Sequence, residues 1–379
     1  VIFSSSYQPA RSKEKKMINV TRTYLPSIDE YQALLRQIWD NGWLTNGGQF
    51  EQDLADNLKE YFDVPNLELV ANGMLALQLA IRALGLKGEV ITTPFSYVAT
   101  ANAIVWEGCQ PVFVDVDENS FCISPDLIES AITEHTSAII ATHVYGIPCD
   151  VEKIASLAAK YNLKVIYDAA HCFGVSLHGK SILMHGDISA LSFHATKLFH
   201  TAEGGAVVCR DVSVNERIHS MKKFGHLGED RYLEIGTNAK LSELHAAMGL
   251  CVLPKVGEII ARRREVSIWY DDLIASLGLH LRRPIMPPGL EYNYSYYPVV
   301  FESHESMMNA RSRLIENGIM PRRYFHPSLN TLSFLQPFGY RSCSVSESLA
   351  ERVLSLPLYV GLEQSQVARI VHVIADAVQ

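Results

Sequence analysis

Lys197 stands out for its surroundings. It sits in a short polar loop of LSFHATKLFHTAEGGAVVCR (191–210), between an apolar, strand-like run, Ile188 to Phe193, and a second one, Ala206 to Cys209. An amine between two buried strands is placed for use, because burial disfavours the ammonium form and the neutral amine attacks carbonyl carbon. Ser192 and Thr196 add hydroxyls beside it, as an anion site needs. A solvated loop lysine is the plain alternative. A second landmark weighs against it. In VIYDAAH (165–171) an apolar run ends abruptly at Asp168, as a buried parallel strand does when its carboxyl end faces a ligand crevice. Lys197 follows twenty-nine residues later, with a strand between.

An acid at a strand end, then a strand, then a lysine is the arrangement that pyridoxal 5'-phosphate needs. The carboxylate pairs with the pyridinium nitrogen and keeps the ring an electron sink. The lysine holds the cofactor as a Schiff base and later shuttles the proton. A metal reading of His143, His171, His194 and Asp168 matches no compact ligand spacing and leaves the lysine unexplained, so no metal is expected.

The elements that must hold these groups are legible as alternating periodicities. Ser27 to Asp40 carries a helical stripe, with Ser27 as N-cap and Gly42 as its stop; Phe50 to Phe62 is a second helix. Strands are expected at 67–71, 89–92, 111–116 and 138–144, with helices at 73–84, 96–106, 125–133 and 151–161 between or after them. This alternation predicts an α/β fold, a mainly parallel sheet between helices. The turn Ala71-Asn72-Gly73-Met74 aims backbone N–H groups from a helix N-terminus, a ready anion site. Residues 236–240 open a further helix, for which Asn238 is a plausible cap. Pro254 bends or divides the helix that follows. The prolines from Pro284 to Pro288 mark a linker, after which a strand (296–301) and helices at 306–317 and 364–378 build a small unit. The expected division is 17–275 for a large domain and 276–379 for a small one, with 1–16 a tag remnant or loose arm.

Composition narrows the function. A length of 379 residues exceeds one small core, and 48% hydrophobic with 20% charged residues is ordinary for a soluble globular protein. A net charge of −8 argues against nucleic acid as a partner. Seven cysteines without a CxxC pair read as reduced thiols of the cytoplasm. No uninterrupted apolar run reaches the length of about 18 residues that spans a bilayer, so no membrane partner is expected.

The motifs ANGMLALQLAIRALG (71–85), GEVITTPFSYVATANAI (88–104), PVFVDVD (111–117), VIYDAAHCFG (165–174), SFHATKLFHTAEGGAVV (192–208) and GTNAKLSELHAAMGL (236–250) occur in this order. Together they resemble the DegT–StrS family of nucleotide-sugar aminotransferases, fold-type I enzymes that use pyridoxal phosphate. The resemblance implies that Lys197 is the catalytic amine and Asp168 the pyridinium partner. It implies a cofactor-phosphate site at Gly73, Met74 and Ser192, main-chain only at Met74, where relatives often carry Ser or Thr. Tyr97 would stack on the pyridine and His171 would face the ring and its phenolic oxygen; the plain reading of each is a core residue. Asn238 would reach the phosphate of a second subunit, giving a homodimer with shared sites. Thr45, Tyr324 and His326 would contact the nucleotide-linked keto sugar. The implied reaction moves an amino group from L-glutamate to a keto sugar. The family members it looks most like act on dTDP-4-keto-6-deoxyglucose, for surface polysaccharide. A 3-keto sugar transaminase and a non-catalytic regulator on the same scaffold are the alternatives; a histidine in place of the lysine would signal a dehydratase.

Overall fold

Short apolar runs, too brief for helices, pair into one seven-stranded sheet in the computed structural model, which describes residues 17–378. The reading of 1–16 as a tag or arm lies outside the described residues. In chain order the strands are β1 (Ile18–Asn19), β2 (Leu67–Val70), β3 (Glu89–Thr92), β4 (Gln110–Phe113), β5 (Thr136–Thr142), β6 (Lys164–Asp168), β7 (Ser176–Leu177), β8 (Lys180–Ser181), β9 (Ile188–Ser192), β10 (Gly205–Cys209), β11 (Leu290–Glu291), β12 (Tyr297–Val300), β13 (Ile319–Met320) and β14 (Val353–Leu356). The helices are α1 (Ile28–Asn41), α2 (Gln49–Phe62), α3 (Gly73–Ala83), α4 (Val98–Trp106), α5 (Pro125–Ile128), α6 (Val151–Tyr161), α7 (Val212–Met221), α8 (Glu243–Val252), α9 (Val256–Ser276), α10 (His304–Glu316), α11 (Ser344–Arg352) and α12 (Gln364–Val378).

The sheet order is β2-β10-β9-β6-β5-β3-β4, parallel throughout except for β10, which runs against both neighbours. Side chains alternate between two cores: Ile91, Ile139, Val165 and Tyr167 enter one, Val90, Ile140 and Ile166 the other. Both faces are therefore covered, which is why these strands read as continuous apolar runs rather than alternating ones. Because β10 alone is reversed, the chain leaves β2, β3, β5, β6 and β9 along one edge. That edge carries Asn72, Thr92, Thr142, Asp168 and Ser192. Register locks it: Gly205 pairs with both Val70 and Ser192, and Asp168 with both Thr142 and Ala190.

A separate buried cluster joins Tyr297, Val299, Leu314, Leu354, Leu356 and Ile370. Ile18 and the far half of α9 (Val266, Tyr270, Ile274) belong to it as well, so packing draws residues before 276 toward the C-terminal elements. Pro254 lies in a 3-10 turn, Leu253–Lys255, between α8 and α9. The helical run Glu243–Ser276 is long and apolar enough, by length and composition, to cross a membrane. Here it packs as core: Ala246, Ala247, Val252 and Val256 join the larger cluster.

Caps behave as their residue types dictate. The Ser27 side chain accepts from Asp29 N, and Gly42 closes α1 at φ 69°, a left-handed conformation that costs glycine nothing. Several local expectations change: the helix expected at 125–133 gives way to a 3-10 turn after Ile128, and the strand expected at 138–144 is β5. Tyr97 is the N-cap of α4, not a residue within it. The expected strand 111–116 is β4, ending at Phe113. Residues 236–241 are a loop, and Ser242 rather than Asn238 caps α8; Gly236 is held there because any Cβ would meet Gly225 N at 2.2 Å.

Candidate active site

Asp168 ends β6 in the middle of the sheet edge and is buried. Thr100 Oγ1 donates to Asp168 Oδ2 at 2.6 Å, and Ala170 N–H donates to Oδ1 at 3.1 Å. Behind Thr100 lies a chain of hydroxyls: Ser96 Oγ stands 3.1 Å from Thr100 Oγ1 and 2.9 Å from Thr142 Oγ1. Burial raises the carboxyl pKa, while Thr100, the Ala170 N–H and the charge of Lys197 work against that rise. The hydrogen bonds at this site thus favour the charged form of the carboxyl against its burial, as a partner for a cationic ring requires.

Lys197 follows β9 in a turn, its N–H donating to His194 O at 2.8 Å. Its Nζ lies 3.4 Å from the Tyr296 hydroxyl and 5.9 Å from that ring's centroid. Lys197, Ser192, His171 and Tyr296 line one cavity. The His171 ring lies parallel to Phe325, 5.8 Å between centroids, and meets Tyr296 edge-on at 4.8 Å. Its Nδ1 accepts from Tyr145 N at 3.2 Å. Burial, followed by the charge of Lys197, holds the imidazole well below its ordinary pKa, so it is neutral.

The 71–74 turn closes the site from the far side. Asn72 caps α3 by accepting from Leu75 N at 2.9 Å, which leaves the Gly73 and Met74 N–H groups without intrahelical acceptors. A Cβ at Gly73 would stand 2.8 Å from Ser192 Cβ and 3.3 Å from its Oγ. Glycine is thus required for Ser192 to reach the helix N-terminus, and the two expected phosphate ligands come together. A buried ion network braces this turn. Lys222 Nζ is 3.2 Å from Glu51 Oε1 and 2.8 Å from Glu68 Oε2, with His219 on the far side of Glu68 at 3.0 Å. The Lys222 carbonyl accepts from Ala239 N at 3.1 Å, and Ala239 O accepts from Ala71 N at 2.9 Å.

Other expected residues stand apart in this single chain. Tyr97 is 60% exposed, which excludes the plain core reading. Thr45 and Asn238 are exposed, and Lys240 Nζ donates to the Asn238 amide oxygen. Beside Asn238, Phe224, Leu227, Tyr232, Leu233 and Ile235 are exposed apolar residues. Tyr324 lines a cavity next to that of Lys197, whereas His326 is engaged by Glu351 at 3.0 Å. His143 is a core buttress: its ring stacks on Tyr167 at 4.4 Å, its Nδ1 accepts from Cys149 N, and burial pulls its pKa down to about 3. Among the described residues no group of three or more metal-ligating side chains forms. Thr100, Tyr296 and the Ser96 hydroxyl were not anticipated. Thr100 had a usable signal, lying one helical turn past Tyr97 beside the same strand end; Tyr296 comes from across a hundred residues and had none.

An open, mainly parallel sheet brings a lysine, a buried aspartate and a helix N-terminus to one edge, a donor set suited to an enzyme that holds a carbonyl cofactor. The comparisons make that class specific. The profile of the DegT/DnrJ/EryC1/StrS aminotransferase family matches residues 27–375, and the chain belongs to that family. It is 41% identical over 368 residues to a dTDP-4-amino-4,6-dideoxy-D-glucose transaminase of Shigella dysenteriae, covering 96% of this chain and 99% of that protein. A protein of the same name from Escherichia coli is 38% identical over 366 residues, covering 94% of this chain and 97% of that one. Among solved structures, DesI with its TDP-sugar product superposes with a TM-score of 0.91 at 30% identity, covering 96% of this chain and 94% of that one. PseC of Helicobacter pylori, an aminotransferase of pseudaminic acid biosynthesis, superposes with a TM-score of 0.87 at 25% identity, covering 96% and 99%. The chain is a nucleotide-sugar aminotransferase. The family implies pyridoxal phosphate, and the donor set fits it: a buried carboxylate backed by hydrogen-bond donors, an amine and a glycine-opened anion site on one edge.

Proposed function

We propose that the chain moves the amino group of L-glutamate onto dTDP-4-keto-6-deoxy-D-glucose, giving dTDP-4-amino-4,6-dideoxy-D-glucose for surface polysaccharide such as O-antigen. The observation that carries this reading is full-length similarity, at 41% and 38% identity, to two transaminases named for that product. A relative named for a dTDP-3-amino-3,6-dideoxy sugar stands at 31%, which disfavours the 3-keto alternative. The presence of both Lys197 and Asp168 disfavours a non-catalytic regulator.

When bound, pyridoxal phosphate supplies the electron sink that lets an amino group change carbon. Asp168, backed by Thr100, would pair with the ring nitrogen. The Gly73 and Met74 N–H groups and the Ser192 hydroxyl would take the phosphate, and His171 with Tyr97 would flank the ring. Lys197 would hold the cofactor, and its Nζ is the group placed to move a proton. Thr45, Tyr324 and His326 are assigned to the nucleotide sugar, which requires His326 to exchange its contact with Glu351. The working form is a homodimer: Asn238 is exposed beside an apolar loop and would complete the partner's phosphate site. The seven cysteines are all free and buried, which suits a cytoplasmic enzyme. The test is a panel of dTDP- and UDP-linked keto sugars with glutamate. NMR of the product should show nitrogen on C4 of a dTDP sugar; nitrogen on C3, or turnover only with UDP sugars, would overturn the proposal.

A further inference from the structure

Arg263 sits on α9 and is only 5% exposed, yet no carboxylate pairs with it among the described residues. Its Nε donates to Tyr294 O at 2.8 Å and its Nη2 to Ser295 O at 2.6 Å. Carbonyls satisfy protons but do not neutralise charge, and a buried cation left without a counter-ion is costly. Burial lowers the guanidinium pKa to about 10, so it stays charged at neutral pH. Its Nη1 has no partner among the described residues, and the side chain lines a cavity with Thr21, Thr196, Tyr296, Tyr324 and Leu358. The polar groups there are a guanidinium and hydroxyls, and no acidic side chain faces the space. Thr196, Ser295 and Tyr296 also line the Lys197 cavity, so the two spaces adjoin.

We infer that Arg263 is the carboxylate site for the amino-acid donor, with the Thr21 hydroxyl as an auxiliary donor. This rests on the transaminase reading above. The geometry suits a ligand with an amine and a carboxylate close together: the amine enters the Lys197 cavity while the carboxylate lies against the guanidinium next door. Arginine's planar fork matches a carboxylate in a way a point charge does not. The two carbonyl contacts also hold the backbone that presents Tyr296 to Lys197, so a seated donor carboxylate and the lysine's surroundings are mechanically linked.

Two measurements on the cofactor-loaded protein test the assignment. The first is calorimetric titration with glutarate, which carries the carboxylates of glutamate but no amine to react. The second follows the two half-reactions separately, amino acid with the resting enzyme and keto sugar with the aminated enzyme. Arg263→Gln should weaken glutarate binding and raise the donor's apparent Kd on the order of tenfold or more, as loss of a charge-assisted contact does. Its keto-sugar half-reaction should be little changed. To keep the test informative if Arg263→Gln fails to fold, Arg263→Lys and Thr21→Val are read alongside; each should weaken the donor step selectively. Unchanged glutarate and donor binding in the folded variants would overturn the inference. So would a defect confined to the keto-sugar step, which would put a diphosphate against Arg263. If the wild-type protein transfers no amine from any amino acid, the transaminase reading itself fails, an outcome separable from both.

Discussion

Replacing Thr100 with valine removes one hydroxyl and keeps the shape, so it isolates what holds Asp168 charged. The bond it deletes is short, 2.6 Å, buried, and made to a carboxylate whose pKa burial already raises. Hydrogen bonds to charged groups contribute about 1.5–3 kcal/mol, a factor of roughly ten to a hundred in the ionisation constant of the carboxyl. The Ser96 hydroxyl keeps Thr142 as a partner, so the variant leaves no second buried group stranded. The protonated form of Asp168 should therefore persist to higher pH, and a protonated acid cannot pair with a pyridinium. Cofactor dissociation constants, measured by fluorescence quenching across pH, should coincide for the two proteins at high pH. They should diverge as pH falls, with the variant weakening first. Parallel curves, or identical ones, would refute the claim that Thr100 sets the charge of Asp168.

Borohydride should fix pyridoxal to Lys197, and Lys197→Ala should lose both the adduct and turnover; mass spectrometry placing the adduct on another lysine refutes the assignment. Asp168→Asn should bind cofactor about 3–5 kcal/mol less tightly, since it strands the ring cation, and near-normal turnover in that variant would contradict the pairing. Mixing inactive Lys197→Ala and Asn238→Ala chains should restore up to about half a site per chain pair, because about half of the dimers are mixed and a mixed dimer leaves one site intact; no recovery in mixed dimers seen by native mass spectrometry refutes sharing. His143 is neutral in the fold, its pKa lowered from 6.5 to about 3, so its contribution is complete above pH 6.5 and is lost as pH falls. The loss is about 1.4 kcal/mol per pH unit, hence about 2 kcal/mol by pH 5 in urea unfolding. Glu68 adds a lower window: burial opposes its ionisation, but His219 and Lys222 outweigh that and hold it at about 2, so its stabilisation fades from pH 4.5 downward. A flat wild-type stability between pH 6.5 and 5, or an equal slope in His143→Phe, would contradict the first window.

Lys197, Asp168, Gly73 and Ser192 were legible because strand ends and helix starts are written locally, as an apolar run that stops or a glycine before a helix. Tyr97 was legible in position but not in setting: at the residue before the helix its ring is left exposed rather than packed, and periodicity does not separate the two. Asn238 misled in its local structure, since asparagine suits both helix caps and loops; the competing cap, Ser242, lies only four residues on. Tyr296, Thr100 and Arg263 take their meaning from partners far along the chain. β14 escaped because a four-residue strand broken by a serine and preceded by a polar helix carries no periodic signal of its own.

β1 pairs in parallel with β13, Ile18 opposite Ile319, and Leu358 N donates to Val20 O at 3.0 Å. The C-terminal cluster is thus closed by residues from the far end of the chain, and Val20 and Thr21 reach the wall of the Arg263 cavity. On a ribosome moving at about 5–20 residues per second, Ile18 emerges roughly 15–60 s before its strand partner. For that interval the central sheet can form but the cluster cannot, and an apolar strand waits without cover. The polypeptide acquires a complete donor pocket only once Leu358 has been made, so an enzyme truncated before β14 would keep the aspartate and the lysine while losing part of the wall against which a donor is seated.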